Sequence, residues 1–268
     1  MQKRHRDNDL YFSELASTCR QYYIPYLQKV IKVENISVLE IGCGHGGNLL
    51  PFYERGCYVV GIDIDKSKIE TAIFLFAREK IEPALFEFRI EDFYSTIDTR
   101  KYDLILVHDV IEHIRDKEVF MGKAKQMLAD NGIIFYRFPA WNMPFGGHQQ
   151  LCSNKLSSML PFTHLLPVSI YTKYLNIFKE KNTTISELLE IKQCKVTIVL
   201  FQKLVFKTGL KIIDRSLWFI NPHYKIKFGL PPLKLNRRIA SIKYLRNYFT
   251  TSCFYLLKRI QIRIKYTI

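Results

Sequence analysis

Two groups of residues have the types and spacing to do chemistry. The first is the run Glu40-Ile41-Gly42-Cys43-Gly44-His45-Gly46-Gly47, with Asp63 further along the chain. Glycine is needed there twice, once for a tight turn and once so that a ligand can approach without a Cβ in the way. A helix starting near Gly47 would add free N–H groups and the positive end of its dipole. Gly42, Gly44 and Gly47 also satisfy GxGxxG, so the turn alone fits a dinucleotide as well as S-adenosylmethionine (SAM). Glu40 favours SAM, because its carboxylate can meet a cationic amino-acid end that a dinucleotide lacks. Asp63 can accept both hydroxyls of a ribose under either reading. The Tyr-x-x-x-Lys pair of short-chain dehydrogenases is missing from the sequence.

The second group is Asp109, Glu112 and His113, followed later by His148 in Pro144-Phe145-Gly146-Gly147-His148-Gln149. Spacing of i, i+3, i+4 would set the first three on one face of a helix. The methyl of SAM arrives activated, so a protein has only to aim a nucleophile and, for a hydroxyl, help remove its proton. Two carboxylates and two histidines can serve as that base, or can ligate Mg²⁺ or Mn²⁺.

The elements that must hold these groups are short apolar runs alternating with amphipathic stretches over 36–140, as a parallel α/β sheet requires. Strands are expected at 36–41, 58–63, 86–90, 102–108 and 132–138, and helices at 48–55, 66–80 and 117–128. An N-terminal helix or helix pair at 11–32 should pack on the sheet or cover the site. Later come a helix at 191–207 ending at Gly209, a strand at 211–220 and, at 252–258, a last, antiparallel strand or a short helix, which pattern alone does not separate. The fold class is therefore α/β, a Rossmann-like doubly wound sheet of seven strands with helical insertions forming a cap. Four regions follow: a helical segment 1–35, a SAM-binding core 36–140, an acceptor-binding insertion 141–190, and a C-terminal completion 191–268 with a basic aromatic tail.

Six cysteines without a CxxC pair fit reduced thiols in a cytoplasm. The charged start Met1 to Arg6 runs into Asp7, Asn8 and Asp9, which argues against a signal peptide, and no uncharged run nears the ~20 residues of a membrane span. The net charge of +15 is lopsided: residues 1–140 hold 19 Lys+Arg against 21 Asp+Glu, residues 141–268 hold 21 against 4. From 229 to 268 there are nine basic residues and no acid, interleaved with Tyr244, Tyr248, Phe249, Phe254, Tyr255 and Tyr266. That composition suits peripheral docking at an anionic membrane surface, on the inner face of the membrane, and fits nucleic acid less well. Trp141, Phe145, Phe162, His164, Leu165, Leu166 and Tyr171 in the insertion either line an acceptor pocket or fill a helical cap.

The stretches Val38-Leu39-Glu40-Ile41-Gly42-Cys43-Gly44, Gly61-Ile62-Asp63-Ile64, Ile90-Glu91-Asp92 and Tyr102-Asp103-Leu104-Ile105, running into Asp109-Val110-Ile111-Glu112-His113-Ile114, resemble the ubiquinone-biosynthesis-like branch of class I SAM-dependent methyltransferases. The resemblance covers roughly 36–140, with a weaker echo to 260. It implies that Glu40, Gly42, Gly44, Gly46 and Asp63 bind SAM, that Ile64 lies against the adenine, that Glu91 or Asp92 bonds its amino group, and that His108 sits near the methionine end. Asp109, Glu112, His113 and His148 are the implied catalytic set. They also resemble the acidic-x-x-Glu-His plus histidine ligands of metal-dependent O-methyltransferases, including the plant small-RNA 2′-O-methyltransferase, with Asp109 in the place of a glutamate. A diol-binding metal set, the Gly-Gly-His loop, the basic aromatic tail and a loose similarity to methyltransferases of bacterial surface-polysaccharide pathways point to O-methylation of a hydroxyl on a sugar or glycan, free or still attached to a lipid carrier. A quinone-like or other lipophilic acceptor, RNA, and a non-catalytic SAM-binding or membrane-docking protein are the alternatives.

Overall fold

The computed structural model describes residues 7–79 and 82–260. The charged opening Met1 to Arg6, Lys80 at the end of an expected helix, and the tail from residue 261 with Tyr266 lie outside the described residues.

Strands β1 Ser37–Ile41, β2 Tyr58–Asp63, β3 Phe86–Ile90, β4 Tyr102–His108, β5 Leu128–Phe138, β6 Leu210–Ile220, β7 Leu233–Lys234 and β8 Ser252–Arg259 form one sheet. Their order is β3-β2-β1-β4-β5-β8-β6-β7. The first five are parallel to one another. β8 runs antiparallel between β5 and β6, and β7 is antiparallel to β6. The sheet thus has eight strands, not seven. The extra one, β7, is two residues long beside Pro231 and Pro232, too short to leave a sequence period.

β1, β2 and β4 are apolar on both faces because helices cover both. Helices Lys117–Met127 and Ile198–Lys207 pack on one side, around Phe120, Met121, Phe201 and Val205. On the other lie Lys66–Arg78 and the N-terminal helix, whose Phe12, Ala16, Cys19, Tyr23 and Tyr26 join Phe76, Phe135 and Phe254. That helix runs from Asn8 to Leu27 with a π turn over Cys19–Tyr23, where the Ile24 N–H reaches back to the Cys19 carbonyl. Strand order reverses between β1 and β4, so their carboxyl ends open a crevice where ligands of such sheets bind.

The helix expected over 191–207 is two helices, Asn182–Cys194 and Ile198–Lys207. Between them Val196 accepts a hydrogen bond from the Trp141 N–H, and Thr197 caps the second helix through its hydroxyl on the Leu200 N–H. Gly209 ends it at φ +69°, as expected. The insertion folds on its own small core of Cys152, Tyr171, Leu175, Ile185 and Leu188. Phe254 and Tyr255, expected among the docking aromatics, are instead buried in β8. All six cysteines are unpaired and buried, and no helix among the described residues is long and apolar enough to cross a membrane.

Candidate active site

The turn after β1 takes left-handed backbone at Gly42, Gly44 and Gly46, which glycine adopts without strain. What each missing side chain leaves room for differs. A Cβ on Gly42 would lie 2.5 Å from Val110 Cγ2, and one on Gly47 would lie 2.6 Å from the Phe12 carbonyl oxygen and 2.8 Å from Leu15 Cβ. At Gly44 a Cβ would meet nothing within 4 Å. Close packing, including that of the N-terminal helix, therefore fixes most of these glycines, and Gly44 is the one that faces open space. The helix expected over 48–55 shrinks to Leu50–Tyr53 behind a series of turns.

That space is a cavity of 680 Å³, within the range of roughly 300–1,000 Å³ usual for ligand clefts. Glu40, Asp63, Ile64, Asp92, His108 and His113 are among its walls. Asp63 accepts N–H bonds from Gly44 (2.9 Å) and Asp65 (2.9 Å), which aim its carboxylate. The cap of the following helix is Asp65, so Asp63 is spare for a ligand. Ile64 is 74% exposed. Glu91 and Asp92 both line the cavity: Asp92 accepts from the Tyr94 N–H, and Glu91 lies 3.8 Å from Arg89.

Glu40 is buried. Asn48 donates one N–H to its Oε1 (2.7 Å) and another to His108 Nδ1 (3.0 Å), while Glu40 Oε2 has no partner. Burial pushes this carboxyl up to about 8, opposed by the Asn48 bond and aided by the charge of Asp63. His108 Nε2 lies 3.1 Å from the Tyr23 hydroxyl, and burial, then Arg137 and His223, hold the imidazole well below its ordinary pKa. With Nδ1 accepting from Asn48, the neutral ring carries its proton on Nε2. Asn48, Tyr11 and Tyr23 escaped the sequence reading, since no period or motif marks them. Arg137 left a signal, a lone cation inside the apolar strand Ile133 to Phe138.

Arg137 also explains a departure from expectation. Asp109 is paired to it and takes φ +53°, left-handed and strained for a non-glycine residue. The segment beyond is a 3-10 turn, Ile111–His113, so Asp109, Glu112 and His113 do not share a helix face. The structure instead groups three of the four residues. One donor atom each of Glu112, His113 and His148 lies within 4.8 Å of the others, and the two rings meet edge to face at 5.0 Å. Glu112 is buried, and neither carboxylate oxygen finds a side-chain partner. Burial raises its pKa to about 8, with its own backbone N–H and Lys117 opposing. Burial lowers His148 to about 3, helped by His113, His164 and Arg137, and lowers His113 as well.

His148 is itself held at φ +57° by the loop beneath it. His164, fully buried, donates from Nε2 to the Trp141 carbonyl (2.7 Å) and accepts at Nδ1 from Gln149 (2.9 Å). A Cβ on Gly147 would fall 2.1 Å from His164 Cβ, so the Gly-Gly-His loop closes only over glycine. Lys192 pins the other end of this support through the carbonyls of His164 (2.6 Å) and Leu166 (2.8 Å). His164 and Tyr171 therefore belong to the fabric of the cap, whereas Phe145 and Phe162 keep 39% and 41% of their surface exposed beside the loop.

A sheet of this order, with a glycine turn after β1, an acid closing β2 and a cavity across both, defines the class I methyltransferase fold. A family model for a methyltransferase domain matches residues 11–170, more than half of the chain. The chain belongs to that family. Among curated proteins it is 34% identical over 103 residues to a ubiquinone biosynthesis O-methyltransferase of Pelagibacter ubique, covering 38% of this chain and 42% of that one. It is 30% identical over 129 residues to the Bartonella quintana protein of the same name, covering 44% and 49%. The chain thus spans less than half the length of these relatives. Among solved structures, a SAM-dependent methyltransferase from Clostridium acetobutylicum aligns with a TM-score of 0.57 at 12% identity, over 93% of this chain and 92% of that one. The magnesium protoporphyrin IX methyltransferase of Synechocystis with bound SAH aligns at 0.56 and 13%, over 92% and 84%.

Proposed function

We propose that the protein is a SAM-dependent O-methyltransferase, and that its acceptor is a lipophilic molecule presenting a hydroxyl. The observation that carries this reading is the single cavity bounded by Glu40 and Asp63 at one end and by His113 at the other. The orphaned, buried Glu40 Oε2 calls for a cation, and the open space over Gly44 leaves room for a ligand against the backbone. Both fit SAM. Bound there, SAM supplies a methyl already activated by its sulfonium. Asp63 holds the ribose hydroxyls, Glu40 the ammonium, and neutral His108 forms part of the wall at the methionine end. Ile64 covers the adenine, with Glu91 or Asp92 at its amino group.

Glu112, His113 and His148 face the acceptor. Two neutral imidazoles and an unpartnered carboxylate are a donor set for a divalent ion, which would polarise the acceptor hydroxyl and any oxygen adjacent to it. Asp109, held by Arg137, stands outside that set. Exposed Phe145 and Phe162 beside the loop favour the lipophilic acceptor over the sugar or lipid-linked glycan that the sequence put first, and the names of the curated relatives point the same way. Exposed Leu156, Met159, Tyr244 and Tyr248 extend this apolar rim, and Phe162 lies 6.5 Å from Tyr248, which supports peripheral contact with a membrane.

Calorimetry with SAM, SAH and NAD tests the donor, and a methyl-transfer assay on a lipophilic catechol, with and without EDTA, tests the acceptor end. SAM and SAH should bind and NAD should not. Turnover should disappear in EDTA while SAM affinity stays. Binding of NAD alone would sink the donor assignment, and full activity in EDTA would sink the metal.

A further inference from the structure

The basic half of the chain encloses a second cavity that methyl transfer does not use. From residue 191 to the end there are 17 Lys+Arg and one acid, Asp214. The cavity, 380 Å³, lies around that acid and is walled by Lys29, Asp214, Arg215, Ser216, Lys234 and Arg237, with Leu217 and Leu235 buried beneath. Its position follows from the shortness of β7. That strand pairs with β6 only at Trp218 and Ile220, so among the described residues β6 has no strand beside it on its outer side around residues 214–216. Successive residues of a strand point to opposite faces, and cations reach the gap from both.

These cations are not neutralised. Among the described residues, Lys29, Arg215, Lys234 and Arg237 make no ion pair. Two are held over rings instead, Lys29 at 5.0 Å from Tyr26 and Lys234 at 5.6 Å from Trp218. Asp214 is spent locally, accepting from the Arg215 N–H (2.8 Å). Behind the wall, buried Arg246 donates to the Ala240 carbonyl and to Gln202, and its Nε finds no partner. Burial, then the charge of Arg215, works against protonated Arg246. Gathering this many cations in a half-enclosed site costs free energy that a counter-anion offsets. Guanidinium forks match phosphoryl oxygens, whereas the Ser241 hydroxyl is spent on the Arg238 carbonyl (2.6 Å).

We propose that the cavity at the open edge of β6 binds a phosphoryl oxyanion of diphosphate size, through Arg215, Lys234 and Arg237 with Lys29 at its rim. The site shares a row of the sheet with the active site. Arg215 pairs with Tyr255, Tyr255 with Tyr136, and Tyr136 with Val107, the residue before His108. Three strand spacings, roughly 14 Å, separate β6 from β4. The phosphoryl group can come from a soluble diphosphate or from a lipid headgroup. The claim is independent of methyl transfer and is tested without SAM.

The test is thermal unfolding of the full chain in inorganic pyrophosphate against sodium chloride of equal ionic strength, for wild type and for Lys234→Gln/Arg237→Gln, which alters exposed positions and should fold normally. Pyrophosphate should raise the wild-type Tm by about 5 °C beyond chloride and leave the variant unmoved. Arg215→Gln should abolish the same shift. Sedimentation with phosphatidylcholine vesicles, with and without phosphatidic acid, distinguishes the sources. A several-fold loss of capture in the double variant assigns the site to a lipid headgroup, and unchanged capture assigns it to a soluble phosphate. No pyrophosphate shift beyond chloride, or an equal shift in the double variant, overturns the proposal.

Discussion

The proposed donor end and the proposed acceptor end of the site are built in different ways. Around Glu40 and Asp63 the groups come from the ends of adjacent parallel strands; the Gly44 and Asp65 N–H groups aim Asp63, and the Asn48 side chain holds Glu40. Around Glu112 and His148 they come from a 3-10 turn and a distant loop, and the geometry depends on His164, Gln149 and Lys192 underneath. A site of the first kind is specified by a few neighbouring residues. A site of the second kind needs a folded insertion, so it should be easier to disable from a distance.

The largest effect should separate the two ends. Replacing Glu112 by Gln, or His148 by Ala, should lower kcat by about 10²–10⁴ while SAM affinity measured by calorimetry stays within a factor of about two. A parallel loss of SAM affinity would mean that the ends are not independent. Next in size is Gly147→Ala, whose Cβ has no space against His164. Overpacking of this kind costs about 1–3 kcal/mol, and the displaced His148 should reduce kcat at least about tenfold with KM for SAM unchanged. The smallest effects belong to the donor end. Glu40→Gln should weaken SAM by about tenfold, the low end of the loss of one charged hydrogen bond.

That substitution also tests the ionisation of Glu40. Its carboxyl has an ordinary value of 4.5 and sits at about 8 when buried in the free protein. Between those values the folded chain binds a proton that the unfolded chain does not, so the contribution of Glu40 to stability falls as pH rises through this window. A cationic ligand needs the carboxylate, hence SAM affinity should increase up to about tenfold per pH unit below 8 and level off above it. In Glu40→Gln the slope should vanish. A flat profile in the wild type would place the ammonium elsewhere.

The same contrast governs what the sequence could reveal. β2, β3 and β4 fall on the residues expected, 58–63, 86–90 and 102–108: β2 and β4, buried on both faces, read as near-continuous apolar runs, and the edge strand β3 reads by its Phe-Glu-Phe-Arg-Ile alternation. β5 starts at Leu128 where Gly132 was expected, since its first turn of chain is polar and partly exposed. The break at Lys195–Thr197 carries no proline or glycine and is imposed by Trp141 from another part of the chain. Glu40, Gly42, Gly44 and Asp63, which line one cavity and form the proposed donor site, stand together in the sequence as a local motif. Asn48, Tyr11 and Tyr23 do not, since only the folded N-terminal helix and turn bring them to His108 and the cavity. The spacing of Asp109, Glu112 and His113 suggested a helix face, because Arg137, a lone cation in an apolar strand, signals that it needs a partner but not that the partner is Asp109.

The π turn at Cys19–Tyr23 gives the N-terminal helix one residue more than an α-helix would use. On one side of that surplus Phe12 and Leu15 rest on Gly47, and on the other the Tyr23 hydroxyl meets His108. The helix therefore works as a length gauge. Closing the π turn into regular α-helix while keeping every residue would rotate the two halves by about 100° relative to each other. One half could then stay seated on the glycine turn only by letting the other release its histidine.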